Sequence, residues 1–314
     1  MARLPARTTA YLYLLLTTLT WGAALPIVKL GLPFTTPYRY LLYRYILCII
    51  LSLPILFYFI PRVKKLPKQV WTIFGVELIG TTLALGMLYT GLNRTSALEA
   101  SLISTTSPIF ITVGAILFLR EREESREWIG MAIAFVGTVL LAAGPLMSTP
   151  IAGQQNHLIG NLLIIGQNVA NAGYFILAKR FYHKLPKFFV TTISFYVGAI
   201  SFFILSLFET HGSLGLLATA VQSDLSYFPV WVIVLYMAIF GSLIGLTAYI
   251  KGQDKIEVSE ASVFCYLQPL VYIPLSFLFL GERVTFSQIA ALVLILVGVV
   301  MVEKRAKKKK SSIV

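Results

Sequence analysis

Two charged residues stand inside long apolar runs, where a charge is expensive. Arg44 lies about seven residues into one run and Glu77 about eight into another. At about 1.5 Å per helical residue, each is roughly 10–13 Å from its membrane edge, in the central zone. An ionised side chain at that depth costs at least about 2.5–3.5 kcal/mol and normally faces a partner or a wet cavity. Two chemistries fit: Arg44 and Glu77 pair with each other, or either holds a charged end of a small solute. Asn161, Asn168 and Asn171 are spaced seven and three apart, so they share one helix face, with Gln167 adjacent. Such amides glue helices together or hydrogen-bond a polar solute. Pro108 and Pro269 fall in mid-run, where each removes a helical hydrogen bond and kinks the chain. The kinks would free the carbonyls of Ser104 and Cys265, beside the hydroxyls at 104–107 and beside Gln268, and would make hinges or simply shape the packing. Trp21, Tyr89, Tyr174, Tyr196, Tyr249 and Tyr266, away from run ends, offer flat walls with one polar tip. Tyr11, Tyr58, Trp71, Trp128, Tyr227 and Trp231, nearer the ends, fit interfacial belts.

Other chemistry is missing from the sequence. His157, His183 and His211 do not cluster, and Cys48 and Cys265 lack metal-ligand spacing. No zinc-protease, phosphate-loop or nucleophile-elbow pattern occurs. No enzyme, cofactor or metal site is expected.

These residues need a membrane to position them. The chain has 314 residues, 57% hydrophobic and 12% charged, with a mean hydropathy of +0.81. A soluble globule leaves too much of its surface in water to accommodate that composition. Ten apolar runs reach or approach the roughly 20 residues that cross about 30 Å of hydrocarbon: 9–30, 37–60, 69–92, 97–119, 127–147, 157–180, 188–208, 229–252, 257–280 and 286–303. Period-2 alternation is lacking, which argues against a barrel, and an all-α polytopic membrane protein is expected.

The net charge of +13 is distributed by side. With ten spans and the N-terminus inside, 21 of the 26 Lys and Arg fall on inner segments, including the basic tail. Only Arg94 and Arg283 fall in outer loops; Lys29, Arg39 and Arg44 lie at or within spans. The longest outer loop, 209–228, has Glu209 and Asp224 and no basic residue. The basic residues would face anionic inner-leaflet lipid, not nucleic acid.

The chain repeats itself. An offset of 161 aligns Gly80 with Gly241, Glu99-Ala100-Ser101 with Glu260-Ala261-Ser262, Pro108 with Pro269 and Glu121-Arg122 with Glu282-Arg283. A fainter offset of 150 aligns Lys29 with Lys179. The expected division is a first five-helix repeat over 1–147, an outer linker over 148–156, a second repeat over 157–303 and a cytoplasmic tail over 304–314. Five spans per half is odd, so the halves sit oppositely in the membrane. Inverted repeats around a midplane site are the architecture of secondary transporters. Ser96-x-x-Glu99 has the form of a capping box, and Glu260 sits equivalently; helix capping is the leading reading of Ser96, Glu99 and Glu260, and proton coupling the other for the two acids. Gly130, Gly137 and Gly144 put a smooth stripe on the fifth span, suited to close helix packing.

Trp21-Gly22 followed by Lys29, Arg44, Glu99-Ala100-Ser101 with Pro108, and Glu260-Ala261-Ser262 with Pro269 and Gly281-Glu282-Arg283 resemble the EamA type of the drug/metabolite transporter superfamily. The resemblance spans nearly the whole chain. It implies ten helices, both termini cytoplasmic, a prokaryotic inner membrane, and carriage of small metabolites, often amino-acid efflux. Arg120 in place of the second half's Gly281, and the intramembrane Glu77, depart from the family pattern. The combined expectation is alternating access of a small polar or amphiphilic metabolite, an amino acid or relative favoured and export favoured. The candidate path residues are Trp21, Arg44, Glu77, Tyr89, Asn168, Asn171, Tyr249 and Gln268. An uncoupled facilitator or channel of the same fold is the first alternative, and an intramembrane enzyme the lesser one. Neither the coupling ion nor the oligomeric state is legible.

Overall fold

The computed structural model describes residues 6–59, 70–119, 125–142, 154–182, 185, 187–256, 261 and 263–308. Helices dominate, and the described residues contain no strand. The first span, α1, runs through Ala6–Gly22 and Ala24–Gly31; α2 is Pro37–Phe59. The third, α3, spans Val70–Arg94 and contains a π-helical stretch at Leu78–Ala84. The fourth, α4, is broken into Ala97–Ser104 and Ser107–Leu119, and α5 is Ser125–Ala142. The second half comprises α6 (Gln154–Tyr182), α7 (Lys187–Glu209), a short α8 (Leu214–Leu225), α9 (Phe228–Gln253), α10 (Val263–Leu267 and Pro269–Leu280) and α11 (Phe286–Lys308).

Apart from the short α8, the described residues form ten helices, five per repeat. Arg7–Phe34, Val70–Arg94, Ala97–Phe118, Phe189–Glu209 and Phe228–Gln253 have the length and apolarity of membrane spans. Helices α2 and α6, of 23 and 29 residues, are long enough to cross; they carry the arginines and the amides that lower their apolarity. Leu19, Ile50, Phe208, Leu278 and Phe286 are exposed, whereas Arg44, Glu77, Asn161 and Asn168 are buried. Apolar groups outside and polar groups inside is the arrangement lipid requires. The fold is therefore an all-α polytopic membrane protein of ten helices in two inverted repeats.

The repeats interlock. Helix α2 packs on α7 and α5 on α11, while α3 packs on α6 as α1 packs on α9. Every one of these pairs joins opposite halves. The first two pairs are their own images under a pseudo-two-fold axis, and the last two are images of each other. Helices α2 and α7 each have 23 residues at an offset of 150, which extends the faint register of Lys29 and Lys179. The π stretch of α3 recurs in α9 at Met237–Leu246. Such stretches break the regular ladder and free carbonyls for other donors. At Gly137 an added Cβ would meet the Ala291 carbonyl at 2.9 Å, so this part of the glycine stripe seats α11 against α5. Gly144 lies outside the described residues.

The 209–228 segment, expected as a loop, contains helix α8. Ser213 caps it by accepting the Leu216 N–H at 3.3 Å, after a turn in which His211 and Gly212 have φ of 53° and 78°. A run with no basic residue and several turn-formers reads as loop by composition; the cap and the helix become evident only from the backbone.

Candidate functional site

Arg44 projects from α2 toward the π stretch of α9. It is 6% exposed, and its Nε donates to Ser242 Oγ at 2.8 Å. Its Nη1 reaches the Tyr89 hydroxyl at 3.4 Å, and the guanidinium lies 5.3 Å from the Tyr45 ring centroid. The Tyr40 ring meets Tyr89 edge-on at 5.1 Å, and its buried hydroxyl has no hydrogen-bond partner of good geometry. Among the described residues no carboxylate lies within ion-pairing distance of Arg44. The result is a fork of donors with hydroxyls beside it in an apolar interior, which suits a carboxylate or another small anionic group.

Glu77 faces elsewhere. It is 1% exposed and ends the first α-helical turn-set of α3, one residue before the π stretch. Its Oε1 accepts from the Tyr182 hydroxyl at 2.8 Å and the Tyr174 hydroxyl at 3.3 Å, both on α6. Its Oε2 accepts from Thr81 Oγ1 at 3.0 Å, and Thr81 also bonds the Glu77 carbonyl. Ser194, on α7, lies beside the same carboxylate and donates its hydroxyl to the Val190 carbonyl at 3.0 Å. The Arg44–Glu77 pair is thus not formed: Arg44 points toward α9 and Glu77 toward α6 and α7. The two clusters are nevertheless related. Ser194 follows Arg44 by 150 residues and Ser242 follows Thr81 by 161, the offsets of the repeat. Arg44 with Ser242 on one side and Ser194 with Thr81 and Glu77 on the other are equivalent places carrying opposite charge.

Around them the aromatic candidates do separate jobs. Trp21 donates Nε1–H to the Gly241 carbonyl at 3.0 Å, within the π stretch of α9, and stacks on Tyr249 at 5.2 Å. Tyr249 is buried against Phe175 at 4.5 Å, its hydroxyl unpartnered. Tyr196, expected near the middle, is exposed on the outer face of α7.

The amides turn out to serve α4. Asn168 donates to the Ile103 carbonyl at 2.9 Å and to Thr106 Oγ1 at 3.1 Å, at the break in that helix. Asn161 donates to Glu99 at 3.3 Å. Asn171 is half-buried and makes no hydrogen bond to the described residues. The break itself lies just ahead of Pro108. Thr105 and Thr106 bond the carbonyls of Ser101 and Ile103, and the buried hydroxyls of Ser104 and Ser107 remain unpartnered. Pro269 opens a helix preceded by a 3-10 turn. There the Cys265 carbonyl, expected to be free, takes the Gln268 N–H at 3.1 Å, because the tighter turn closes that bond. The Gln268 side chain is half-buried.

Ser96 accepts the Glu99 N–H at 3.0 Å at the start of α4. Glu99 does not return the bond of a capping box. Its carboxylate instead accepts from Thr95 at 2.6 Å and lies 3.6 Å from His157 Nδ1. The acid that caps α4 comes from the other repeat: Glu282 accepts from the Ala97 and Leu98 N–H groups at 2.9 and 2.7 Å. Glu260 lies outside the described residues.

Lys29 and Lys179 gain matching roles. Lys29 Nζ donates to the carbonyls of Leu92 and Thr95, both at 2.6 Å, at the C-terminal end of α3. Lys179 Nζ donates to those of Gln253 and Ile256, at 2.7 and 2.8 Å, at the end of α9. The acceptors differ by 161 residues, the donors by 150.

Residues missed by sequence reasoning are the hydroxyls: Tyr40, Thr81, Tyr182, Ser194 and Ser242. For Thr81, Ser194 and Ser242 the signal was the repeat offset, which pairs Ser194 with Arg44 and Ser242 with Thr81; Tyr40 and Tyr182 carry no such signal.

A ten-helix bundle of two inverted repeats that buries charge at its centre belongs to the class of membrane transporters. The sequence profile of the EamA-like transporter family matches residues 8–143 and, a second time, 158–303. The chain belongs to that family. It is similar to "Uncharacterized transporter YvbV" of Bacillus subtilis (strain 168), 28% identical over 99% of this chain and 97% of that protein. An "Uncharacterized transporter" of Archaeoglobus fulgidus is 26% identical over 94% of this chain and 99% of its own length. A solved crystal structure shares the fold, with a TM-score of 0.66 at 18% identity over 96% of this chain and 99% of that one.

Proposed function

We propose that this transporter carries a small polar or amphiphilic metabolite bearing a carboxylate, an amino acid or a close relative, by alternating access. Arg44 takes the carboxylate, and the walls of the path include Trp21, Tyr89 and Tyr249. The observation that carries this reading is a buried arginine whose partners are hydroxyls. An uncompensated guanidinium in an apolar interior is costly unless a ligand neutralises it for part of the cycle. Export is favoured by the likeness to the family. The inverted repeat supports alternating access, since two matching halves give two states of similar energy open to opposite sides. The basic residues flanking the spans support cytoplasmic termini, and the likeness to the family supports a prokaryotic inner membrane.

The test is counterflow in vesicles holding the purified protein, each preloaded with one amino acid and given the same labelled compound outside. At least one amino acid should show saturable counterflow, and Arg44→Gln should lower its rate tenfold or more. Absence of counterflow for every amino acid, or an Arg44→Gln variant as active as the parent, would overturn the reading. Flux without saturation or counterflow would mark a facilitator instead.

A further inference from the structure

We propose that the groove between α4, α5 and α6 binds one anionic phospholipid, an acyl chain lying along the groove and the phosphate resting on Arg180. The site does not depend on what the transporter carries.

The groove follows from how the helices pair. Helix α6 packs along the second part of α4, and α5 packs along α11. Contact of α5 with either α4 or α6 is slight. A wedge of about 730 Å³ is left between the three. Its floor is closed: Ala172 and Ile176 are buried, and a Cβ on Gly114 would run into Ile176 Cδ1. Its walls are open: Leu117, Phe118 and Trp128 are exposed, and a Cβ on Gly173 would meet nothing within 4 Å. A cleft of this size accommodates a small ligand, and apolar walls offer water no partners.

Length selects the occupant. Along α6 the lining runs from Val169 to Arg180, eleven residues on, or about 16 Å of helix. Half of the hydrocarbon core of a bilayer is about 15 Å. The groove therefore has the depth of one leaflet, which is the reach of an acyl chain below its headgroup. A small polar metabolite would leave most of it unfilled.

Charge selects the headgroup. Among the described residues that line the groove, Arg180 alone is charged, and it stands at the end of the α6 lining. Its side chain is exposed, the guanidinium 5.8 Å from the Phe181 ring centroid. Among the described residues no carboxylate lies within ion-pairing distance of it. An arginine fork binds a phosphate through two parallel hydrogen bonds. The adjoining 120–127 segment has three Arg and four Glu, so it adds no net positive charge. One guanidinium suits one phosphate with net negative charge, whereas a zwitterionic headgroup carries an ammonium that offsets the attraction.

The repeat separates Arg180 from the helix caps. Lys179 caps α9 as Lys29 caps α3, but the position equivalent to Arg180 is Leu30. The cap is common to both halves, and the guanidinium beside the groove belongs to one.

The test is native mass spectrometry of the purified full-length protein, stripped of lipid in detergent. It is then offered equal amounts of phosphatidylglycerol and phosphatidylethanolamine with the same chains. One phosphatidylglycerol per chain should be retained in preference by about fivefold, the effect of one arginine near an anionic headgroup. Arg180→Gln should abolish the preference. Gly173→Leu, which adds bulk where there is open space, should lower phosphatidylglycerol retention about fivefold, and Val169→Trp, at the far end, should act likewise. Gly75→Leu, on an open face of α3, should retain the lipid as the parent does. Phosphatidylglycerol should also raise the thermal midpoint of the parent, and glycerol phosphate should not. Equal retention of the two lipids by the parent, or a preference that survives Arg180→Gln, would overturn the headgroup site. Parental retention by a folded Gly173→Leu or Val169→Trp would show annular lipid only and overturn the groove. Stabilisation by glycerol phosphate as large as by the lipid would overturn the role of the chain.

Discussion

Lys29 and Lys179 illustrate how much a single side chain settles in this protein. Each ammonium sits on the last carbonyls of a helix, where four acceptors lack helical partners and the helix dipole favours positive charge. Hydrogen bonds to charged groups contribute about 1.5–3 kcal/mol. Lys29→Met and Lys179→Met should each lower the thermal midpoint in detergent, by similar amounts because their contacts are equivalent. If neither variant moved the midpoint, the caps would be energetically idle. Arg39 explains itself at the same scale. Its Nε lies 2.7 Å from Asp224, which also accepts from Thr35 at 2.6 Å and Tyr43 at 2.8 Å. Asp224→Ala leaves Arg39 and two hydroxyls without their acceptor, and removing one member of a buried pair costs about 3–5 kcal/mol. Chemical denaturation should report a loss of that order; a change under about 1 kcal/mol would show the pair to be screened.

At the scale of elements, close packing does what propensity cannot. Helices α3 and α6 approach so closely that a Cβ on Gly91 would lie 2.8 Å from the Gly160 carbonyl, and one on Gly160 would lie 2.9 Å from that of Gly91. Helices α5 and α11 meet in the same way at Gly137. Gly137→Leu should push α11 away from α5 and destabilise by about 1–3 kcal/mol. Gly75→Leu, on an open face of α3 where an added Cβ meets nothing within 4 Å, is the control and should leave the thermal midpoint unchanged. Equal effects of the two would mean that α5–α11 contact is not what the glycine serves. Helix α4 is a composite case: its first turn is capped by Ser96 from its own half and by Glu282 from the other. Glu282→Ala removes the long-range cap only, and should cost about 0.5–2 kcal/mol in the same assay.

At the scale of the whole molecule, the two halves are stitched at several levels. Asp224 and Glu209 of the second half hold Thr35, Thr36, Arg39 and Tyr43 of the first, and Glu282 holds α4. Those ties belong to the end of the bundle expected to face outward. The alternating access proposed above requires them to part, so on that proposal Asp224→Asn, which weakens but does not abolish the acceptor, should change the counterflow rate of any amino acid that is carried. An unchanged rate would place the gate elsewhere. The inverted arrangement has its own check: impermeant reagents applied to intact cells should leave tags at both termini unlabelled, and labelling of one alone would contradict five spans per half.

The alternation of apolar runs and charges determines the spans and the repeat and sets the expectation for sidedness, because lipid imposes length, apolarity and flanking charge on each helix separately. Each of those demands is local and is written in consecutive residues. The partners of the charges are not local. Arg44 and Glu77 stood out as misplaced charges, but whether they met depended on the direction each side chain takes from its helix, and α9, α6 and α7 supplied what they touch. Asn161 and Asn168 looked like solute ligands until the break in α4 claimed one and Glu99 the other. Helix α8 depends on a turn no periodicity reports, and the Glu282 cap and the tyrosine hydroxyls on Glu77 join residues 97 to 185 positions apart. Only the tertiary structure could decide them, since a hydrogen bond between distant helices is chosen by packing geometry and not by any property of the segment that bears it.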